Sequence, residues 1–526
     1  MAMKKTILSF AIVAAAVASC DFLKEDPGSF VDRDGYYKTE AQCRSAVNSC
    51  YEGLRTIYTT SLFTILEGNT DLVIVPSISD VNAIMDINPS QCNISKTVWS
   101  ASYKAVMYCN AAIAGIEKST TIEDSLKKDL LAEAKTMRAY WYYMLTSFFG
   151  DVPFYTDDVV DQATMDRIGR LGRMDAVQTR AALIAELQQC YSYGTDSETG
   201  AAVYTGALKE ERACNLEKGR AGWAMGLMLI GKMALWNACT DKDGSEDWYQ
   251  VAIDALEHLV PVYGPLSQYP LSELYFSVKD TPERIFEIRH TYSQGTLSYA
   301  GNLAQNCMPS YSSSTNLYDG VSIPWLGTEA KVGTCNRPTS YFFSFLQPDN
   351  GKDLRTDINQ GRRWEGTNFK NGLANPWMGP KFWCPYMKTT YDSNNYPVFR
   401  YADALLMLSE CYCAKKDQAQ FEKYLNEVRT RAGLAAYSVS DWEQATQELR
   451  DERARELFGE FQRKFDLVRW GIWYTAVREY WEPEMRRKKI ENTHALPCHR
   501  YMPIPVEQVV NSGYALDNKE YNAYGL

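Results

Sequence analysis

Between Gly264 and Pro397 the sequence loses helical periodicity, gains Gly, Pro, Asn and Ser, and keeps its tyrosines and tryptophans. A loop region that long inside a compact chain is usually either functional or disordered, and the aromatics argue against disorder. Trp325, in Ser322-Ile323-Pro324-Trp325-Leu326-Gly327, is the centre of the expected site, with Tyr311 and Tyr318 upstream and Trp364 downstream. A sugar ring presents a face of C–H groups that stacks on a flat side chain. Tyr and Trp supply that area while losing few rotamers on ordering. Tyr292 belongs to the same set, and Asp71, from an earlier loop, is the expected polar partner for hydroxyl groups. The competing role for each ring is an internal anchor of an irregular subdomain.

Other groupings that could carry chemistry are weaker. Glu452, Glu456 and Glu460 recur at spacing four and could present carboxylates to a substrate. Arg453, Arg455, Arg463 and Arg469 are interleaved with them, which suits a structural ion-pair network better. A glycosidase needs two carboxyl groups placed across a cleft, which a linear sequence cannot display. The run Asp241–Asp247 hints at calcium binding but lacks the alternation and final glutamate of an EF-hand, so a solvated acidic turn is expected. His494, Cys498 and His499 match no zinc spacing, and Pro497 interrupts them. There is no phosphate loop, nucleophile elbow or HExxH motif. The expectation is no cofactor and no catalysis.

Loops that bind need a rigid carrier, and the flanking sequence reads as helical. The strongest stretch is Leu130–Tyr155, where Leu131, Ala134, Trp141, Leu145 and Phe148 share one stripe and Ala139–Leu145 is apolar on every side. Such a helix belongs inside a helical stack; Gly150 ends it and Pro153 keeps it ended. Further helices are expected at about Glu40–Tyr58, Val98–Glu117, Met174–Tyr191, Arg220–Trp236, Trp248–Leu259, Arg400–Lys415, Gln418–Arg431 and, as one long charged rod, Trp442–Arg469. Trp99 is expected to pack on this scaffold. Short strands are expected at Ile285–His290 and Lys381–Cys384, and a loop at Gly68–Asn93.

The totals fit a globular chain of 526 residues, 45% hydrophobic, with 35 tyrosines and 13 tryptophans. A net charge of −10 argues against nucleic acid, which requires basic patches. Lys4-Lys5 and the apolar run Ile7–Ala18 form a secretory signal, too short to span a bilayer. The signal ends Val17-Ala18-Ser19-Cys20, which resembles a bacterial lipobox, so the expected membrane contact is an acyl chain on Cys20 alone. Lys24-Glu25-Asp26 is similar to the acidic signal that sends Bacteroidetes lipoproteins to the cell surface, and Asp124-Ser125-Leu126 resembles a Bacteroidetes O-glycosylation site. Without Cys20 thirteen cysteines remain, with no paired spacing; most read as buried thiols, with a long-range disulfide left open.

The stretch AEAKTMRAYWYYMLTSFFGDVPF resembles the signature helix of the SusD/RagB family of surface lipoproteins. Glu217–Trp236, Pro282–Ile288, Arg400–Glu410, Leu425–Leu434, Glu452–Gly471 and Tyr501–Pro505 match in the same order, over nearly the whole mature chain. The resemblance implies a mainly α fold: a TPR-like scaffold of helical pairs with a long loop-rich insertion and a few short strands. It also implies a non-catalytic outer-membrane protein, facing the cell exterior, that captures oligosaccharide or polysaccharide and passes it to a SusC-like TonB-dependent transporter. The corresponding division is 1–19 signal, 20–36 tether, 37–263 scaffold, 264–397 ligand-binding insertion, and 398–526 scaffold with C-terminal loops. Three alternatives stand beside this reading: a RagB-like peptide carrier, a glycoside hydrolase, and a TPR-type protein adaptor.

Overall fold

The computed structural model describes residues 36–199, 202–207, 219–244, 246–292, 299–326, 336–345, 353–370, 372–387 and 389–526. The secretory signal, Cys20, Lys24–Asp26 and Gly327 lie outside them. The chain is mainly α, with short two-stranded pairings and no closed sheet.

The main helices are α1 (Glu40–Ser49), α2 (Asn93–Lys118), α3 (Asp124–Phe149), α4 (Ala176–Cys190), α5 (Trp223–Thr240), α6 (Trp248–Leu256), α7 (Tyr401–Lys415), α8 (Gln418–Arg431), α9 (Trp442–Glu456) and α10 (Arg463–Arg469). They pack as neighbouring pairs, α2 on α3, α5 on α6 and α7 on α8, with α4 bridging α3 and α5. Helix α3 is the centre expected of it: Tyr140, Trp141 and Tyr142 are fully buried. Each keeps its polar tip satisfied, Tyr140 with the Tyr58 hydroxyl (2.7 Å), Trp141 Nε1 donating to the Cys50 carbonyl (2.8 Å) and Tyr142 donating to the Tyr155 carbonyl (2.9 Å). Large amphipathic rings can occupy a core only on that condition. Gly150 closes the helix at φ +71°. Trp99 packs edge-on against Phe149 in the same core.

Several expected boundaries are corrected. The first helix does not reach Tyr58: Gly53, at φ +96°, turns the chain, and short helices Leu54–Ile57 and Thr60–Phe63 follow. The long charged rod is two helices, because Gly459 (φ +73°) and Phe461 (φ +61°) reverse the backbone between α9 and α10. A Cβ at Gly459 would stand 2.4 Å from the Phe382 ring, so the turn also brings backbone into close contact with an aromatic. Lys381–Cys384 is not a strand; Pro380–Phe382 forms a 3₁₀ turn. The strand Arg284–Ile288 pairs instead with Tyr396–Arg400, antiparallel, Ile288 opposite Tyr396. That pairing ties together the two ends of the excursion running from residue 289 to 395. Within the expected loop Gly68–Asn93, Val73–Ile74 pairs with Arg337–Pro338 and is fully buried.

Beneath the insertion lies the ion-pair network. Glu456 meets Arg355 (2.9 Å), Arg400 (3.0 Å) and Arg431 (2.5 Å), all buried. Burial alone would raise its pKa, yet Arg431, Arg400 and Arg355 hold the carboxyl well below the usual range. Glu452 pairs with Arg355 (2.7 Å) and Arg455 (2.8 Å), and Glu460 with Lys381 (2.6 Å) and Arg400 (2.8 Å). Arg355 and Lys381 come from the insertion, so the network clamps it onto α9. Every described cysteine is a free thiol, buried except the half-buried Cys239.

Candidate functional site

Apart from the main core, the insertion has a small apolar core of its own. Tyr318, Ile323, Leu326, Phe369, Trp377 and Trp383 are buried in it, and Tyr311, Trp325 and Trp364 are half-buried against it. Trp383 is the pedestal. Its Nε1 donates to the carbonyls of Cys307 (3.1 Å) and Met378 (3.0 Å), which fixes the ring between two loop segments. Trp325 and Trp364 lean on that ring at 6.3 and 5.7 Å and on each other at 5.2 Å, 61° apart. They therefore sit as two tilted plates with their inner edges buried.

The supports are local and polar. Asp319, at φ +44°, and Gly320, at φ +88°, make the tight turn beside Leu317–Tyr318, and the Asp319 carboxylate accepts the Trp377 indole N–H (2.9 Å). The guanidinium of Arg337 lies 3.1 Å over the Trp377 ring. Tyr311 packs on Tyr318 at 4.9 Å and donates its hydroxyl to Asn316 (2.9 Å). Behind the insertion, Asp392 is buried and accepts the amides of Ala304 (2.9 Å) and Asn394 (3.1 Å). Burial lifts its pKa to about 6.

The residues expected at a ligand site divide three ways. Tyr311, Trp325 and Trp364 come together on one small core. Tyr318 is in that core but 2% exposed, so it acts as the floor under Tyr311; burial, with Tyr311 beside it, pushes its hydroxyl up to about 12. Asp71 is corrected to the scaffold: it is 3% exposed and holds Arg463 in a two-point ion pair (3.0 and 2.6 Å). The cause lies in the apolar run after it, which enters the interior as a strand and carries Asp71 inward. Tyr292 is half-buried near the Thr291–Tyr299 backbone bond, and among the described residues no ring contact joins it to the tryptophans.

One residue escaped the sequence reading as a member of this group. Tyr386 is 72% exposed at φ +57°, and its backbone N–H donates to the Trp325 carbonyl. Its position among the loop aromatics was visible, but nothing in the letters ties it to Trp325.

Comparison with known proteins places the chain. A model described as "SusD family" matches residues 385–521, and one described as "Starch-binding associating with outer membrane" matches 21–191. A relative from Formosa agariphila, SusD-like protein P25, is 25% identical over 98% of this chain and 99% of its own. The chain belongs to the SusD/RagB family. Among solved folds, a SusD homolog from Bacteroides thetaiotaomicron superposes with a TM-score of 0.72 at 17% identity, covering 93% of this chain and 98% of the other. Surface glycan-binding protein A from the same organism, in complex with laminarihexaose, gives a TM-score of 0.67 at 17% identity over 92% of this chain and 100% of the other. In this SusD-like chain α3 lies inside the first matched segment, while Tyr311, Trp325, Trp364, Trp377 and Trp383 lie outside both and Tyr386 falls at the start of the second.

Two other groupings have structural explanations. The Asp241 carboxylate accepts the amides of Asp243 (2.9 Å) and Gly244 (3.3 Å) and the Trp248 indole (2.7 Å), which closes the acidic turn on itself. His499 accepts the Leu496 amide at Nδ1 and donates from Nε2 to the Ile87 carbonyl (3.1 Å). Among the described residues no His, Cys, Asp or Glu grouping could hold a metal ion, and no helix is long and apolar enough to cross a membrane.

Proposed function

We propose that this protein is a non-catalytic glycan-binding lipoprotein of the outer membrane, facing outward, that captures oligosaccharides on the Trp325–Trp364 pair. The reading rests on one observation above others: two half-exposed tryptophans, 5.2 Å apart, are locked onto a buried third by a core that serves no other visible purpose. A preorganised pair of plates binds a chain of sugar rings without the ordering cost a mobile side chain would carry. Tyr311, on the same small core, and the exposed Tyr386, tied to Trp325 through the backbone, add to the platform, and the neighbouring Arg363, ion-paired to Asp357, offers hydrogen bonds to hydroxyls. The relative that carries laminarihexaose supports a glycan as the class of cargo.

The scaffold carboxylates are spent in ion pairs, which supports binding without hydrolysis. Glu452, Glu456 and Glu460 each face two or more buried cations, leaving none free to act as acid or base. Delivery to a SusC-like TonB-dependent barrel, with the chain held by a lipid on Cys20, completes the proposal. Affinity electrophoresis against a panel of polysaccharides tests it: at least one retards the protein, and Trp364→Ala abolishes the retardation while leaving helicity intact. Cleavage of any panel member, or retardation unaffected by Trp364→Ala, would overturn the assignment.

A further inference from the structure

A cavity outside the insertion lies among helices of the scaffold that precede and follow it in the chain. It has a volume of about 380 Å³ and is lined by Tyr249 of α6, Glu410 of α7, Thr446 and Arg450 of α9, and Arg469 and Trp470 at the end of α10. That size is at the lower end for small-molecule sites and fits one or two sugar rings. Three guanidiniums surround the Trp470 ring, those of Arg469 (4.8 Å), Arg450 (5.2 Å) and Arg463 (5.7 Å).

Two of the three are neutralised. Arg463 is held by Asp71, and Arg469 by Glu410 (2.7 Å) and Asp466 (2.9 Å). Glu410 also accepts the Trp470 indole N–H (2.8 Å), so its oxygens are committed. Behind them, Arg453 takes Asp403 (3.0 Å) and the second share of Asp466 (2.9 Å). Among the described residues Arg450 alone of these three guanidiniums has no carboxylate within ion-pair distance, Glu410 acting on it only from farther off, and its Nε is buried with no hydrogen-bond partner. A buried guanidinium donor left unpaired is destabilising, so its persistence on a cavity wall asks for an acceptor from outside. Burial lowers its pKa, Glu410 opposes that shift, and Arg463 and Arg469 add to it.

The geometry points to a binding site for a carboxylate at Arg450, and within a glycan-binding protein to the carboxylate of a uronic acid residue. The carboxylate part stands on the cavity and the unpaired guanidinium; the sugar part rests on the proposed function. Arg450 would grip the carboxylate through two N–H donors, the geometry that suits guanidinium best. The Tyr249 hydroxyl, brought by α6, and the Thr446 hydroxyl oxygen, one turn before Arg450 on α9, would meet the ring hydroxyls.

Calorimetry of the full protein with sodium glucuronate, sodium acetate and glucose at low salt tests this. Glucuronate should bind, glucose should not, Arg450→Gln should weaken glucuronate at least tenfold, and Arg450→Lys should recover part of the loss. Equal binding to the parent and Arg450→Gln, or none to the parent, would overturn the site. Acetate binding as tightly as glucuronate would overturn the uronic-acid assignment. Binding of the neutral polysaccharide panel to Arg450→Gln, measured in parallel, should be unchanged, so failure here and failure of the Trp325 platform remain distinguishable.

Discussion

Replacing Lys464 by methionine should stabilise this protein at neutral pH and below, and the gain should vanish in alkali. Lys464 lies on α10, 3% exposed, with its ammonium 4.8 Å over the Trp473 ring; among the described residues no carboxylate is within ion-pair distance. Burial drives its pKa from the ordinary 10.5 down to about 7, against a small opposing pull from Cys92 and Cys498. The gap between those values corresponds to about 5 kcal/mol. The Trp473 face returns about 2 kcal/mol of that by attraction to the cation, leaving about 3 kcal/mol. The sign follows from the depressed pKa of a base. Between the folded value, which the Trp473 attraction lifts above 7, and 10.5 the unfolded chain holds the proton and the folded chain does not, so stability rises with pH across that window and is level below it. Methionine keeps the length and the contact with Trp473 without the charge. Urea unfolding at pH 6, 7.5, 9 and 10 should show the variant more stable by about 3 kcal/mol at pH 6, the difference closing as pH rises. A variant less stable than the parent by the same amount at every pH would refute the reasoning, since it would mean the ammonium has a partner.

The ion-pair network and the tight turn offer simpler tests. Glu456→Gln leaves Arg355, Arg400 and Arg431 facing a neutral amide and should cost about 3–5 kcal/mol in chemical denaturation, with glycan affinity of the folded protein unchanged. Gly459→Ala forces a Cβ into the Phe382 ring at positive φ and should lower the unfolding free energy by about 2 kcal/mol or more, measured the same way.

Helices whose apolar residues recur at helical spacing were legible, because their packing partners are implied by the stripe itself. Helix α3 is the plainest case, and its stop at Gly150 follows from local chemistry alone. What failed was local rhythm read without tertiary cause. Trp442–Arg469 has the charge pattern of one rod, yet Phe382, distant in sequence, packs where a Cβ at Gly459 would stand, and the turn there is set by that contact. Asp71 looked like a polar loop residue because its partner, Arg463, lies 392 residues away. The same limit divided the aromatics. Trp325, Trp364, Trp377 and Trp383 are equivalent as letters, and only the insertion's separate core decides that two are walls and two are plates. Tyr386 joined Trp325 through a backbone hydrogen bond, which no side-chain pattern encodes.

Titration calorimetry of the intact protein and of Trp325→Ala, with the polysaccharide that retards the parent most, addresses the central claim directly. Loss of one exposed plate should weaken binding at least tenfold, about 1.4 kcal/mol, with unchanged far-ultraviolet circular dichroism and melting temperature. Equal affinity in parent and variant would contradict the account and move the glycan away from the Trp325–Trp364 pair.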